Sequence, residues 1–299
     1  MPNLVTITGA TGNIGKALAE RLLQSGVKIR AVARNAEKLA LLTAKGAEAC
    51  VGDAENPAFL TEAFRGADAV FAMIPPHSNV PDLRADQLRI ATSLSEALKT
   101  VGVSHVVALS SAGASLPSGT GPIAGLHKFE ELLKSIPGLS LIALRPTLFM
   151  ENHLASIPLI KSAGINGSAA HADVALAMIA TRDIAAVAAE YLMNPTFDGY
   201  AVRELYGPRD YTHREVTSIL GAAIGKPDLV YIEFSYEDFR KELLAAGFSA
   251  SVADAYVEMY TAINEGRIQS TMSRNEWNTT PTTLDEFARD IFVPAYQTS

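Results

Sequence analysis

The sequence predicts an α/β fold of the doubly wound kind, in which helices cover both faces of a parallel sheet. Two patterns predict this fold. Through the first half of the chain, short apolar runs rich in β-branched residues alternate with amphipathic helical stretches, and the short runs are apolar on both faces. With 299 residues, of which 48% are hydrophobic, the chain is also long enough to bury a large core.

Each predicted strand in the first half is followed by a predicted helix, up to the sixth strand. The strands are expected at 4–8, 28–33, 47–51, 69–73, 104–109 and 139–144. The helices are expected at 13–25, 36–45, 58–65, 81–101 and 121–135. The third strand contains Cys50, which we expect to be a buried core thiol. A single cysteine excludes an internal disulfide and a cysteine-cluster metal site, and it fits a reducing cytoplasm.

The regularity weakens after Arg145-Pro146, and the remainder is predicted to form a smaller α/β lobe packed on the sheet. Residues 152–173 are rich in Ala, Gly, Ser and Pro, which indicates loops and a short helix. The elements expected beyond them are helices at 182–194, 212–224, 236–246, 249–266 and from Thr283, and strands at 199–206 and 229–234. Thr212 and Glu215 have the spacing of a capping box.

The strongest functional signal is the turn after the first strand, Gly9-Ala10-Thr11-Gly12-Asn13-Ile14-Gly15. Gly9 permits a tight bend, Gly12 lets a pyrophosphate approach the backbone, and Gly15 lets the following helix pack close to the strand. The free amides and the dipole at the start of that helix attract the anion. Since the turn lies at the start of a βα series, it predicts dinucleotide binding. An ordinary turn is the alternative.

The loss of regular alternation after Arg145-Pro146 also predicts how the chain is divided. Residues 1–150 are expected to form a Rossmann domain, and 151–299 mostly the smaller substrate or partner lobe. Residues 174–206 are expected to return to the Rossmann sheet.

The formal charge of −7 makes direct nucleic-acid binding an unfavourable hypothesis. Neither a signal peptide nor a membrane-spanning run is found, so a cytoplasmic protein is expected.

The end of the second strand decides which dinucleotide is expected. Sites for NAD place an acidic residue there for the ribose 2′-hydroxyl, whereas sites for NADP have a cation for the 2′-phosphate. The sequence reads Ala31-Val32-Ala33-Arg34-Asn35, with Lys38 one helical turn further on. Arg34 can hold a phosphate through two parallel hydrogen bonds, which makes NADP(H) the expected cofactor. A solvated surface arginine is the alternative.

Motifs along nearly the whole chain match one family. Besides the glycine turn they are Arg34-Asn35, Gly52-Asp53, Leu144-Arg145-Pro146, Glu151-Asn152, Arg182-Asp183-Ile184-Ala185, Tyr206-Gly207-Pro208 and Pro281-Thr282-Thr283-Leu284. With them the sequence resembles the NmrA-like branch of the atypical short-chain dehydrogenase/reductase superfamily, and within it bacterial NAD(P)H:quinone oxidoreductases. The resemblance implies that Asp53 lies near the adenine and that Ile74-Pro75 lines the ribose and nicotinamide side. It also implies that Ser110-Ser111 lies beside the nicotinamide.

One feature of the wider superfamily is missing. Its reductases protonate the substrate oxygen through a Tyr, four residues before a Lys that lowers the pKa of this Tyr and holds the ribose. We expect the Lys position at Lys128, as a catalytic residue that orients the nicotinamide ribose, although an exposed helical lysine beside Glu130 is the alternative. Ala124 stands where the Tyr would be, and all nine tyrosines lie at or after Tyr191. The usual tyrosine mechanism, and with it sugar-nucleotide epimerisation, is not expected.

A few residues near the predicted site remain as candidates. Phe149 and Asn152 follow the sixth strand at its carboxyl end, where such sheets bind ligands, and they are expected to contact the substrate. Phe149 is equally compatible with the core. His127 is an alternative proton donor, and His171 and Asp173 are given no role. The six histidines have no spacing that places two on one helix face, so no metal site is expected.

Two functions fit these observations. The first is an NADPH-dependent oxidoreductase for a quinone-like or other electrophilic small molecule, whose oxygen takes its proton from water or a less tuned group. The second is a non-catalytic NADP(H) sensor that binds a regulatory protein partner. The chain has neither a long charged tail nor an obvious exposed apolar segment for such a partner, which favours the enzyme. The electron acceptor and any oligomeric state are left open.

Overall fold

The structure, a computed structural model, describes residues 2–299. Its strands are β1 (Val5–Ile7), β2 (Ile29–Ala33), β3 (Glu48–Val51), β4 (Ala69–Ala72), β5 (His105–Leu109), β6 (Ser140–Pro146), β7 (Leu148–Phe149), β8 (Ile165–Ser168), β9 (Leu176–Ile179), β10 (Tyr200–Leu205), β11 (Asp210–Tyr211) and β12 (Val230–Glu233). Its α-helices are α1 (Asn13–Gln24), α2 (Ala36–Ala44), α3 (Pro57–Phe64), α4 (Leu83–Val101), α5 (Ile123–Lys134), α6 (Ile157–Ala163), α7 (Thr181–Met193), α8 (His213–Ala223), α9 (Tyr236–Ala245), α10 (Ala250–Asn264), α11 (Leu284–Phe287) and α12 (Val293–Thr298). Within residues 2–299, we find no helix with the length and apolar character needed to cross a membrane.

The central sheet has seven parallel strands in the order β10-β6-β5-β4-β1-β2-β3. This arrangement confirms the predicted doubly wound fold. From β1 the chain adds β2 and β3 on one side, then crosses back and adds β4, β5 and β6 on the other. The order therefore reverses between β1 and β4. Ligands of open α/β sheets bind at this point, outside the carboxyl ends of the strands.

Helices cover both faces of the central sheet. Such cover is needed because the strands are apolar on both faces. On one face α1 and α7 pack against each other and the sheet through Leu18, Leu22, Ile184 and Ala188. On the other face lie α3, α4 and α5, whose buried side chains include Phe64, Leu94 and Phe129. The sheet is therefore covered by two hydrophobic clusters, one on each face.

The prediction that Cys50 is a buried core thiol was wrong. β3 is the edge strand of the sheet, so one side of it has no neighbouring strand. Glu48 and Val51 are exposed there and Cys50 is half-buried. Partial burial raises the pKa of the Cys50 thiol, which opposes reactivity at neutral pH. Strand periodicity could not identify an edge position, because an edge strand and a central one can have the same apolar residues.

The C-terminal lobe contains more regular structure than its composition indicates. The segment expected as loops and short helix forms a 3₁₀ helix (Met150–Ser156), α6 and the strand β8. β7, β9 and β11 form a three-stranded sheet, and β8 pairs with β12. These strands have two to four residues each. They are too short for an alternation of apolar and polar residues to be recognised in the sequence. β10 joins the central sheet beside β6, and the capping box of Thr212 and Glu215 is present.

Two buried histidines in this lobe make its stability depend on pH. Burial lowers the pKa of His153 to about 3 and that of His213 to about 4, and their rings lie 6.0 Å apart between centroids. Unfolding returns both to ordinary values near 6.5, so below that pH the unfolded state binds more protons. We expect the free energy of unfolding to fall by about 1.4 kcal/mol per pH unit for each histidine as the pH drops from 6 to 4.5.

Denaturant unfolding at several pH values measures this effect. His153→Leu is expected to reduce the slope of unfolding free energy against pH by about 1.4 kcal/mol per unit. The control is His171→Leu, because His171 is exposed. Equal slopes for the native protein and His153→Leu would show that His153 does not titrate on unfolding.

Candidate functional site

A cavity of about 920 Å³ lies at the carboxyl ends of the central strands, between the sheet and the C-terminal lobe. Its floor includes the glycine turn after β1 and the segments that follow β4, β5 and β6. Its roof is one face of α10, and the segment after α10 closes one side. The cavity-lining residues of the roof are Val252, Tyr256, Met259 and Ile263 from α10, and Ile268, Gln269, Ser270, Met272 and Arg274 from the following segment.

The glycine turn has the geometry that its sequence predicts. Gly9 has φ +63°, a left-handed conformation that favours glycine. A Cβ atom on Gly15 would lie 2.2 Å from the carbonyl oxygen of Gly9, so α1 approaches β1 too closely for any side chain there. Gly12 precedes α1 and has no side chain to cap it. The first amides of α1 are therefore available to an anion, and Gly9, Gly12, Asn13, Ile14 and Gly15 line the cavity.

Several other predicted site residues are brought together around the same cavity. Its lining includes Ile74 and Pro75 after β4, Ser110 and Ser111 after β5, and Phe149 and Asn152 after β6. They come from three separate segments, which the parallel sheet aligns at one edge. Phe149 is partly buried and also packs against the hydrophobic core, so both of its predicted roles have structural support.

Five predicted cofactor residues lie outside the cavity lining: Thr11, Arg34, Lys38, Asp53 and Lys128. Thr11 is part of the turn but does not line the cavity, and Lys38 and Asp53 are exposed. The carboxylate of Asp53 accepts a hydrogen bond from the amide of Glu55 at 3.0 Å. Arg34 is exposed, but its guanidinium contacts His77, which does line the cavity.

Lys128, the predicted catalytic residue, lies outside the cavity lining. It is exposed on α5, and the cavity-lining residues near this helix are Pro122, Ile123 and Leu126. Residues two positions apart on a helix point about 200° apart, so Leu126 and Lys128 face different ways. His127 is also outside the lining, and its Nδ1 lies 2.9 Å from the carbonyl oxygen of Ala114, to which it donates. We assign neither of them to the reaction.

A buried polar network behind Ser110 was not predicted from the sequence. The hydroxyl of Ser110 donates to Oε1 of Glu130 at 2.5 Å. Arg145 donates to both carboxylate oxygens of Glu130 at 2.9 and 2.6 Å, and the hydroxyl of Tyr200 donates at 2.7 Å. Because the Ser110 proton is given to Glu130, its oxygen can accept a hydrogen bond from a ligand. Arg145, within an apolar strand, was the signal that a buried counter-charge must exist.

Two tyrosines of the C-terminal lobe reach the cavity. The hydroxyl of Tyr206 donates to Glu204 and also lies 2.8 Å from the carbonyl oxygen of Met272, and burial raises its pKa to about 12. Tyr256 lies on α10 and packs edge-on against Phe248. Among the described residues no hydrogen-bond partner is found for its hydroxyl, and burial raises its pKa. Tyr256 therefore lines the cavity with its phenol in the protonated form.

α10 crosses the segment from which the superfamily tyrosine is missing. A Cβ atom on Gly121 would lie 2.0 Å from the carbonyl oxygen of Ala255 and 3.0 Å from the Cβ of Met259. Gly121 thus allows α10 to pack directly on the chain that leads into α5. Ala124, in the first turn of α5, is buried beneath this contact region. The roof of the cavity therefore stands close to the position where a tyrosine was expected.

Comparisons with known proteins agree with these features. The NAD(P)H azoreductase of Xenophilus azovorans is 29% identical over 86% of each chain. The (4-alkanoyl-5-oxo-2,5-dihydrofuran-3-yl)methyl phosphate reductase of Streptomyces griseus is 33% identical over 85% of each chain. The NADPH-dependent quinone oxidoreductase of Escherichia coli, solved in complex with NADPH, is 26% identical, with a TM-score of 0.80 over 96% of this chain and 99% of that one.

The family model for NmrA-like proteins matches residues 1–288. This match covers the glycine turn, the cavity and most of the C-terminal lobe, and it confirms the resemblance noted in the sequence. The chain belongs to the NmrA-like family.

Proposed function

We propose that the protein is an NADPH-dependent oxidoreductase that reduces flat, apolar electrophiles of the quinone type. One observation carries the proposal: the glycine turn, Ser110 and the apolar face of α10 line a single cavity. A dinucleotide on the turn would extend its reactive end towards that apolar face. The names of the three relatives, all reductases or oxidoreductases and two of them NAD(P)H-dependent, support this function.

The proposed cofactor site follows the carboxyl edge of the sheet. The pyrophosphate binds the amides at Gly12 to Gly15, and the 2′-phosphate binds Arg34 and Lys38. The adenine lies near Asp53, and Ile74-Pro75 contacts the ribose and nicotinamide. Ser110 accepts a hydrogen bond from the nicotinamide carboxamide, because Glu130 already takes the proton of its hydroxyl. When bound, the cofactor supplies a hydride.

The proposed acceptor site lies between the nicotinamide and the roof of the cavity. Its walls are apolar and aromatic, with Phe149 and Leu126 below and Met259 and Ile263 above. Such walls favour a flat ring over a sugar nucleotide, whose many hydroxyls would lose hydrogen bonds there. Asn152 at the edge of the cavity can donate to an acceptor oxygen. Tyr256 or water then protonates the reduced oxygen, since Ala124 stands where the superfamily tyrosine would be and Lys128 lies outside the cavity lining.

Steady-state oxidation of NADPH with a panel of quinones, azo compounds, enones and aldehydes tests this function. We expect sustained turnover with quinones and little with simple aldehydes, whose reduction needs a stronger acid. If NADPH binds tightly but no acceptor supports turnover, the non-catalytic sensor becomes the better explanation.

The same assay tests the proton donor. Tyr256→Phe is expected to leave NADPH affinity unchanged and to lower quinone turnover by about tenfold to a hundredfold, because a positioned acid is lost. Tyr260→Phe on the same helix is the matched control, since Tyr260 packs against Phe239 and does not line the cavity. Unchanged turnover in Tyr256→Phe would assign protonation to water.

A further inference from the structure

A chain of hydrogen-bonded polar side chains connects the loop after β4 with the end of β2. Nη1 of Arg34 lies 3.1 Å from Nε2 of His77, and Nδ1 of His77 lies 2.9 Å from Oδ2 of Asp86. The other oxygen of Asp86 accepts from Arg89 at 2.8 Å, and Arg89 also lies 3.3 Å from Glu55. Asp86 is 1% exposed, which is unusual for a carboxylate in the first turn of a helix.

The two contacts of His77 define its hydrogen-bonding state. A guanidinium can only donate hydrogen bonds, so Nε2 of His77 must accept from Arg34. Nδ1 then carries the proton and donates it to the carboxylate of Asp86. His77 is thus held from both sides, with its side chain only 11% exposed. Arg34, which is exposed and would otherwise sample many rotamers, is held by one of its five N–H groups.

We propose that His77, fixed by Asp86, positions Arg34 and thereby contributes to the selectivity for NADPH over NADH. The inference rests on the proposed role of Arg34 at the 2′-phosphate. His77 contacts Nη1, and among residues 2–299 the other guanidinium nitrogens of Arg34 have no hydrogen-bond partner. They stay available to a phosphate. Because Arg34 is ordered before the cofactor arrives, less side-chain entropy is lost on binding.

The position of the cluster in the fold fits this role. β2 and β4 lie on either side of β1, so the loops that follow them flank the glycine turn. His77 itself lines the cavity, five residues beyond β4. The contact between Arg34 and His77 therefore connects the two sides of the groove in which the adenosine half of the cofactor would lie.

A metal ion is a less suitable occupant of this cluster. Glu55, His77 and Asp86 do place one ligand atom each within 4.8 Å of one another. However, Arg89 already pairs with both carboxylates, and Arg34 donates to the imidazole nitrogen that a metal would need. Two guanidinium groups beside the same three residues would repel a cation.

Titration calorimetry with NADPH and NADH on the purified protein tests the proposal. His77→Phe keeps a ring of similar size but removes both hydrogen bonds. We expect it to weaken NADPH binding by about fivefold and to change NADH binding by less than twofold. His77→Gln is expected to restore NADPH affinity, since its amide can donate to Asp86 and accept from Arg34. A residue that only supported the fold would affect both cofactors equally.

Arg34→Ala separates this inference from the proposed cofactor site. If Arg34→Ala lowers the preference for NADPH while His77→Phe does not, the positioning role of His77 is refuted and the role of Arg34 stands. If Arg34→Ala leaves the preference unchanged, the phosphate is bound elsewhere and the inference fails with that assignment. An equal loss of NADPH and NADH affinity in His77→Phe would also overturn it.

Discussion

Gly12→Val is expected to weaken NADPH binding by at least a hundredfold while the protein stays folded. Gly12 has φ −80° and ψ 171°, an extended conformation that valine adopts readily. A Cβ atom there would have its nearest contact at 3.5 Å, the carbonyl oxygen of Gly9, so nothing has to move in the free protein. The branched side chain would instead occupy the space above the turn, where the pyrophosphate is proposed to bind. Calorimetry and thermal unfolding measure the two effects.

Gly15→Val in the same turn is the contrasting variant. Its Cβ atom would overlap the carbonyl oxygen of Gly9 at 2.2 Å, so we expect it to unfold or to lose much of its thermal stability. The two substitutions are chemically identical and three residues apart. We expect Gly12→Val to abolish NADPH binding and Gly15→Val to unfold the protein. Native NADPH affinity in a folded Gly12→Val protein would mean that the turn is only structural.

Glu130→Ala is expected to destabilise the protein by about 3–5 kcal/mol, because it leaves the Arg145 guanidinium buried without its counter-charge. Glu130 is 2% exposed and accepts hydrogen bonds from Ser110, Arg145 and Tyr200. Without Glu130, the Ser110 hydroxyl proton loses its acceptor. Ser110 could then donate a hydrogen bond to the ligand instead of accepting one from it. The unfolding free energy in urea measures the first effect.

The neighbouring residue provides a matched control. Glu131 is partly exposed and pairs only with Lys134 at 2.8 Å, an exposed ion pair on the same helix. Glu131→Ala is therefore expected to change stability by less than about 0.5 kcal/mol. Lys128→Ala should also leave stability and turnover unchanged. Similar destabilisation by Glu130→Ala and Glu131→Ala would contradict the expectation that the buried pair of Glu130 and Arg145 contributes strongly to stability.

The parts of the site that were predictable depend on local sequence. The glycine turn and Arg34 are recognisable because the constraint on each residue arises within one βα unit. The parallel arrangement of the central sheet also followed from the alternation of strands and helices. Lys128 lies outside the cavity lining, which spacing within α5 could not reveal, because the orientation of this helix is set by its packing against α4.

The residues that sequence reasoning missed depend on contacts between distant segments. Tyr256 reaches the cavity only because α10 packs on Gly121, far away in the chain. His77 gains its role from Arg34 and Asp86, neither of which is adjacent to it. Such residues are distant in the sequence and are brought together only by the fold. A single sequence therefore does not show that they are in contact.

The return of β10 and α7 to the central sheet has a consequence for synthesis on the ribosome. β6 is covered along its outer edge only by β10, and the buried face of α1 only becomes complete when Ile184 and Ala188 of α7 pack against it. A nascent chain that has emerged to residue 150 therefore exposes an unpaired strand edge and an apolar helix face. We expect a fragment that ends there to aggregate or to be captured by chaperones. The cofactor-binding half should become a stable unit only after residue 205 has been synthesised.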